Sequence, residues 1–423
     1  MKAFSRLLIA AIGAAAFASC TQNGGLIYMN IQKTQKTNTS SSIPLDITVT
    51  DIVNTTNALF PQNAAAPYYV AAGKIYNGTQ PVNGTTNWGS IGVPTSPSGH
   101  AMLCNALTYD SVNNLLYGGF FDGTGSGYFG LYTMAPGGSS WTQVPDSLIT
   151  DNGANDKQIT YVNAINGDVF VAAATFPSGG SGYVYEIDVL PSGPSNWSQL
   201  ASNMQKSVTG IGFSGPVAGG TYFVTSGPNL YTVAGSSGPI GVPASWNIGG
   251  NPAPASPLFA SDGSNSGGDI LQGVFVDPLY LGGVTLVIIT AANPQVNPPT
   301  GNLYYSVNPS SSGPWTHLSQ QIGGYNVGFL CAAGPVDSGR TTYLLGTDSG
   351  TGGAFGFYSF VPSSNALNRF GGLSYSLYYS AIRRILVDLS NNFVAMGTIN
   401  NGLWATVPVD PTGGFGGNTW TQE

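Results

Sequence analysis

Few side chains in this 423-residue chain could do acid–base, nucleophilic or metal chemistry. His100 and His317 are the only histidines, and Glu186 and Glu423 the only glutamates. A zinc site needs several ligands with some closely spaced, and neither His-x-x-x-His nor Cys-x-x-Cys occurs. A Ser-His-Asp triad stays open, but no Gly-x-Ser-x-Gly elbow sits between a strand and a helix. The run Ser178-Gly179-Gly180-Ser181-Gly182 has no helix after it, so it reads as a hairpin loop rather than a phosphate cradle. The stretch from Asp262-Gly263-Ser264-Asn265 to Asp269 is rich in oxygen ligands of the kind calcium takes, yet reads first as a plain loop. Arg383-Arg384 is the only adjacent basic pair beyond residue 19. Guanidinium groups suit carboxylate or phosphate, so this pair is the candidate contact for an anionic ligand. No catalytic residue, metal or cofactor is assigned.

What positions these residues follows from composition and periodicity. Gly and Pro number 60 and 28, and Tyr, Phe and Trp number 22, 19 and 7, against 11 Lys+Arg and 18 Asp+Glu. A coiled coil needs many Glu and Lys, and a charged disordered chain is excluded by 42% hydrophobic residues. A net charge of −7 argues against nucleic acid as a partner. Abundant turn formers beside β-favouring residues point to an all-β fold.

An aliphatic–aromatic pair recurs seven times: Ile75-Tyr76, Leu131-Tyr132, Val184-Tyr185, Leu230-Tyr231, Leu303-Tyr304, Phe357-Tyr358 and Leu403-Trp404. The aromatics are spaced by 56, 53, 46, 73, 54 and 46 residues. A second aromatic follows each pair by 9 to 16 residues: Trp88, Trp141, Trp197, Trp246, Trp315, Phe370 and Trp420. A hydrophobic strand precedes each pair, for example Val169-Phe170-Val171-Ala172, and before most of those lies a small-residue strand such as Gly273-Val274-Phe275-Val276. The unit is four short strands. A lone meander cannot bury both of its faces, but seven packed radially can, and only short edges stay exposed. The spacing therefore predicts a seven-bladed β-propeller of four-stranded antiparallel meanders over residues 46–423. The repeat aromatics are expected between the blades.

First and second strands are joined by turns such as Asp110-Ser111-Val112-Asn113-Asn114, Asn166-Gly167-Asp168 and Asp388-Leu389-Ser390-Asn391-Asn392. Asp337-Ser338-Gly339 and Asp277-Pro278 hold the same place. Asp and Asn cap such turns, so these acids read as turn formers rather than catalytic groups. Two insertions, 247–268 and 291–301, account for the long 73-residue spacing; each is either a recognition loop or neutral in length. Arg383-Arg384 falls on the first strand of the seventh repeat, so one of the two arginines should face the central channel.

Residues 1–19 have the form of an export signal: basic Lys2 and Arg6, then an apolar run from Leu7 to Phe17 too short to span a bilayer. Phe17-Ala18-Ser19-Cys20 resembles the lipobox of bacterial lipoproteins, with Phe17 where Leu is usual. The resemblance implies lipidation of Cys20; ordinary cleavage near Ala18 or Ser19 is the alternative. Residues 20–45 read as the lipidated cysteine and a flexible polar tether. By the same resemblance, Thr21 in place of an inner-membrane-retaining Asp implies a periplasmic or outer-membrane, cell-surface location. The chain from residue 20 onward carries nine basic and 18 acidic residues, a net charge of −9. Cys104 and Cys331 fall on first strands of repeats two and six, which are not neighbours, so two buried free thiols are expected.

Tyr305-Ser306-Val307-Asn308-Pro309 through Gly313-Pro314-Trp315, and the shorter Tyr132-Thr133-Met134-Ala135-Pro136-Gly137-Gly138-Ser139-Ser140-Trp141, resemble the Asp-box of sialidase-type propellers, Ser-x-Asp-x-Gly-x-x-Trp. Asn308 stands near the Asp position. The sialidase arginine triad has no counterpart: Arg340, Arg369, Arg383 and Arg384 all lie in the last two repeats. The expectation is a lipid-anchored, exported binding or protein-interaction module of the cell envelope. Its membrane contact is the lipid, and its partner an envelope or host protein or a glycan. The alternatives are a divergent glycosidase or lyase, and a surface adhesin or structural envelope protein.

Overall fold

The computed structural model describes residues 43–79, 88–124, 128–145, 157–175, 183–190, 197–204, 206–215, 220–235, 270–293, 300–309, 315–319, 321–322, 325–326, 328–348, 356–369, 377, 380–406 and 420–423. Cys20, Trp246, Phe370, the loops 178–182 and 262–269, all of insertion 247–268 and residues 294–299 of insertion 291–301 lie outside the described residues; 291–293 and 300–301 belong to the strands Val284–Asn293 and Thr300–Val307.

Short β-rich runs broken by Asn, Asp and Gly fold into seven successive antiparallel blades, with a small two-stranded sheet, Gln321–Ile322 with Tyr325–Asn326, between blades five and six in the chain. Blade one is Asp51–Asn54, Tyr68–Ala72, Lys74–Gly78 and Gly89–Ile91; blade two is Leu103–Asp110, Leu115–Phe121, Phe129–Met134 and Thr142–Gln143. Blade three is Gln158–Ile165, Asp168–Thr175, Val184–Leu190 and Ser198–Met204. Blade four shows three strands among the described residues, Val208–Phe213, Thr221–Ser226 and Asn229–Ala234. Blade five is Ile270–Tyr280, Val284–Asn293, Thr300–Val307 and Thr316–Ser319; blade six is Phe329–Ala333, Tyr343–Thr347, Phe357–Val361 and Ala366–Arg369. Blade seven is Ile382–Asp388, Phe393–Thr398, Leu403–Thr406 and Trp420–Gln422. The chain is a seven-bladed β-propeller, and the inner strand of blade seven lies beside that of blade one, closing the circle.

Each interface between neighbouring blades has its own buried apolar cluster, seven in all. This explains why the second strands read as unbroken hydrophobic runs. In Tyr68–Ala72, Tyr68, Val70 and Ala72 face blade seven, while Tyr69 and Ala71 face blade two. Both faces of the strand are dry, so the polar half of the usual alternation disappears. The aromatic of every aliphatic–aromatic pair lies in a third strand. Trp88, Tyr76, Trp404 and Trp420 are buried in the clusters that flank blade seven. Tyr132 is buried, and Trp141 packed, between blades one and two. Tyr304 is buried, and Trp315 packed, between blades four and five. Trp197 joins blades two and three, Tyr185 and Tyr231 blades three and four, and Tyr358 blades five and six.

The turns follow the chemistry of their residues. Asn114, Asn166 and Asn392 adopt positive φ of 55°, 54° and 49°, a region Asn tolerates better than most side chains. Asp110 accepts from Val112 N and Asn113 N, Asp388 from Ser390 N and Asn391 N, and Asp337 from Thr341 N and Thr342 N. Asp277-Pro278 differs in place: it lies inside a long inner strand, and the turn falls at Leu281-Gly282-Gly283. Pairing there jumps from Asp277 to Tyr280, so the proline sits in a bulge where no ladder N–H is required of it. Asp388 and Asp277 also cross to the next blade, accepting from Tyr68 Oη at 2.8 Å and Tyr343 Oη at 2.7 Å.

No strand is exchanged between the ends of the chain, since blade seven is built from four consecutive strands. Residues 43–49 clasp the seam instead. Val49 N donates to Thr398 O at 3.0 Å and Gly402 N to Ile47 O at 3.0 Å. Gln422 Nε2 donates to Leu45 O at 3.3 Å. Ile43 and Val49 are fully buried, and a Cβ on Gly397 would lie 2.5 Å from Val49 Cγ1. Among the described residues no helix is long and apolar enough to cross a membrane.

Candidate ligand-binding site in the central channel

Six of the seven inner strands carry a bulge at a matching place. Pairing skips Asn105, Thr160, Thr209, Gln272, Leu330 and Arg383. A bulge re-aims side chains, because two residues then oppose one. That is why Arg383 and Arg384 both line the channel, where strict alternation would have sent one of them away.

Two cavities of about 350 and 240 Å³ lie along the channel and share Tyr161, Thr209, Gln272, Leu330 and Arg384. The larger is also lined by Thr160, Ser207, Asp348 and Arg383, and the smaller by Asp51 and residues of all seven inner strands. The residues just after the bulges form one level of the channel. On it, Arg384 Nε donates to Asp51 Oδ1 at 2.6 Å, joining blades seven and one. Leu107 N of blade two donates to Asp51 Oδ2 at 3.0 Å. Burial opposes the charge on Arg384, but Asp51 overrides it and holds that pKa above its usual value. Tyr161 Oη of blade three accepts from Ile211 N at 3.1 Å. Gly210 is required here, since a Cβ would stand 2.8 Å from Val274 N on the next inner strand.

Arg383 differs from its neighbour. No acceptor within hydrogen-bonding distance of its guanidinium is found among the described residues, while its own carbonyl accepts from Arg384 Nη1 at 3.2 Å. Burial, and then Arg384 beside it, push its pKa down from the usual value. Of the larger cavity's lining only Val208 is buried; the rest, Arg383 included, are partly open to solvent.

The other candidates resolve into structure. His100 Nδ1 and Ser96 Oγ both meet Asp122 Oδ2, at 3.3 and 2.8 Å. The serine therefore donates to the acid rather than to the imidazole, which is not the order a nucleophile needs. His317 bonds Asn302 Oδ1 at 2.8 Å and stacks on Tyr304. Glu186 pairs with Lys157, and Arg340 with Asp277. Asn308, at φ 51°, exchanges bonds with Thr285: its own N donates to Thr285 O, and Thr285 N donates to Asn308 Oδ1 at 3.2 Å. Cys104 and Cys331 are free and buried. Burial raises both thiol pKa values, that of Cys331 up to about 12. No cluster of metal-ligating side chains occurs among the described residues.

Asp51, Tyr161, Gln272 and Asp348 escaped the sequence reading. Asp51 carried a usable signal, since Asp51–Asn54 is the first strand of repeat one and its Asp holds the place that Arg384 holds in repeat seven.

No protein-family model matches the chain, and no curated protein matches it. Solved propellers do. A GH74 xyloglucanase from Xanthomonas campestris superposes with a TM-score of 0.58 at 12% identity, over 91% of this chain and 55% of that one. YCF48 from Cyanidioschyzon merolae gives 0.50 at 12%, over 86% of this chain and 96% of that one. Sqt1 of Saccharomyces cerevisiae gives 0.50 at 12%, over 86% and 83%. At such identities the likeness concerns fold alone.

Proposed function

We propose that this propeller is a binding module of the cell envelope, exported and held at a membrane by lipid on Cys20, and that it recognises its partner at the channel mouth and the loops around it. The observation that carries the reading is the larger cavity. It is a polar, solvent-open recess on a rigid ring, and the charge pair beside it is already spent on joining blades. Blade five's inner strand starts, at Ile270, and its second strand ends, at Asn293, on the side where Gln272 enters this cavity. Both long insertions of the sequence leave from those strand ends, and long loops on a rigid scaffold commonly carry recognition.

The xyloglucanase likeness supports a second reading, a glycosidase. That chemistry uses two carboxylates flanking the scissile bond. The channel offers Asp51 and Asp348, and Asp51 has both oxygens engaged by Arg384 and Leu107 N.

The deciding experiment screens the purified full chain against soluble envelope glycans and peptides, beside a Gln272→Trp variant that fills the cavity. Binding that the variant loses supports the module. Release of reducing ends from xyloglucan, abolished by Asp348→Asn, would favour the enzyme. Metabolic labelling with an alkyne fatty acid should tag the wild type and spare Cys20→Ser; equal labelling of both defeats the anchor.

A further inference from the structure

We infer that the larger cavity takes a carboxylate, anchored by Arg383; this rests on the binding reading above and names its ligand chemistry. A guanidinium presents a fork of N–H donors that matches a carboxylate edge to edge. In this channel the two arginines have been given different tasks. Arg384 is satisfied by Asp51, whereas Arg383 faces a recess of about 350 Å³, and no acceptor lies within hydrogen-bonding distance of its guanidinium among the described residues. The bulge that skips Arg383 in the ladder brings it there. Leaving a half-buried guanidinium without an acceptor costs free energy that a bound anion returns.

A carboxylate in the same lining selects among anions. Asp348 lines the same cavity, and its negative charge acts against a multiply charged oxyanion more than against a single carboxylate. Gln272 and Ser207 add neutral polar groups around the entering group. The volume suits a compact acid or the acidic end of a longer ligand.

Titration of the full chain followed by ligand-observed NMR, with acetate and succinate as probes and acetamide and inorganic phosphate as comparators, tests this. The acids should bind, and acetamide should not. Arg383→Gln should weaken acetate roughly tenfold or more, the loss of one charged hydrogen-bonded contact, and Arg383→Lys should recover part of it. Asp348→Asn should raise the affinity for phosphate. If the Arg383 variants fail to fold, Gln272→Glu, which adds a competing carboxylate to the cavity lining, must weaken acetate binding. Acetamide binding as well as acetate, phosphate outcompeting both acids in the wild type, or an Arg383→Gln response equal to wild type overturns the proposal. A partner that still binds Arg383→Gln in the screen would defeat the carboxylate site and leave the module standing. Absence of any partner beside intact acetate binding would do the reverse.

Discussion

Removing the charge of Asp51 should loosen the ring where its ends meet. Asp51 ties three consecutive inner strands: Arg384 of blade seven on one oxygen and Leu107 N of blade two on the other. The side chains are 16% and 30% exposed, so the pair is neither a surface bridge nor a fully buried one. Exposed pairs contribute less than about 1 kcal/mol, and breaking a buried one costs about 3–5 kcal/mol. Their partial exposure places this pair near 2 kcal/mol, after discounting for solvent screening. Asp51→Asn keeps an acceptor for Leu107 N and isolates the charge effect, and Arg384→Met keeps the apolar stem. Each should cost about 1–2 kcal/mol, and the double variant should cost less than the sum by about 1 kcal/mol or more. Urea unfolding followed by far-UV circular dichroism reads these values, with coincident fluorescence as the check on cooperativity. Additivity within about 0.3 kcal/mol would show that the two groups do not act on each other, and the reasoning about the seam would be refuted.

Gly397→Val should destabilise by about 1–3 kcal/mol by overpacking against Val49, and calorimetry of this variant beside Gly397→Ala should grade the loss with size. Cys104 and Cys331 should resist a thiol reagent at pH 8 until denaturant is added, and both should be counted as free thiols afterwards; a Cys104–Cys331 disulfide would overturn the strand register. Asp388 is held below its ordinary pKa: burial works against this, and the bonds from Ser390, Asn391 and Tyr68 outweigh it. Its stabilisation is thus fully present above the ordinary carboxylate pKa and is lost as pH falls through the lower, folded value. Asp388→Asn should flatten the acid limb of the stability curve, and an unchanged limb would refute that role. Tyr68→Phe, which removes one of the bonds to this carboxylate, should cost about 1.5–3 kcal/mol in the same assay.

The blades were legible because burial on both faces writes itself into composition. A strand such as Val169-Phe170-Val171-Ala172 has no solvent side, and the Leu-Tyr or Val-Tyr pair marks the strand after it. Most of the Asp and Asn turns were legible for another reason, since few other side chains satisfy those backbones; Asp277-Pro278, inside a bulged strand, was the exception. The channel was less so. A single bulge reverses which residues point inward, and nothing in Ile382-Arg383-Arg384-Ile385 announces one. Arg384 and Asp51 are 333 positions apart, and only closure of the circle makes them neighbours. The division of labour between two adjacent arginines likewise depends on that closure. It could not be read from a pair of identical letters.

The clasp at residues 43–49 has a mechanical consequence. The first blade hangs on the chain beyond the clasp, so a pull on the amino terminus reaches the seam of the ring before it reaches any blade's own ladder. The load falls on a handful of hydrogen bonds to Thr398, Gly402 and Gln422 and on the buried side chains of Ile43 and Val49. Under tension the circle would open at one known joint while each blade stays folded, so the ring has a designated point of release.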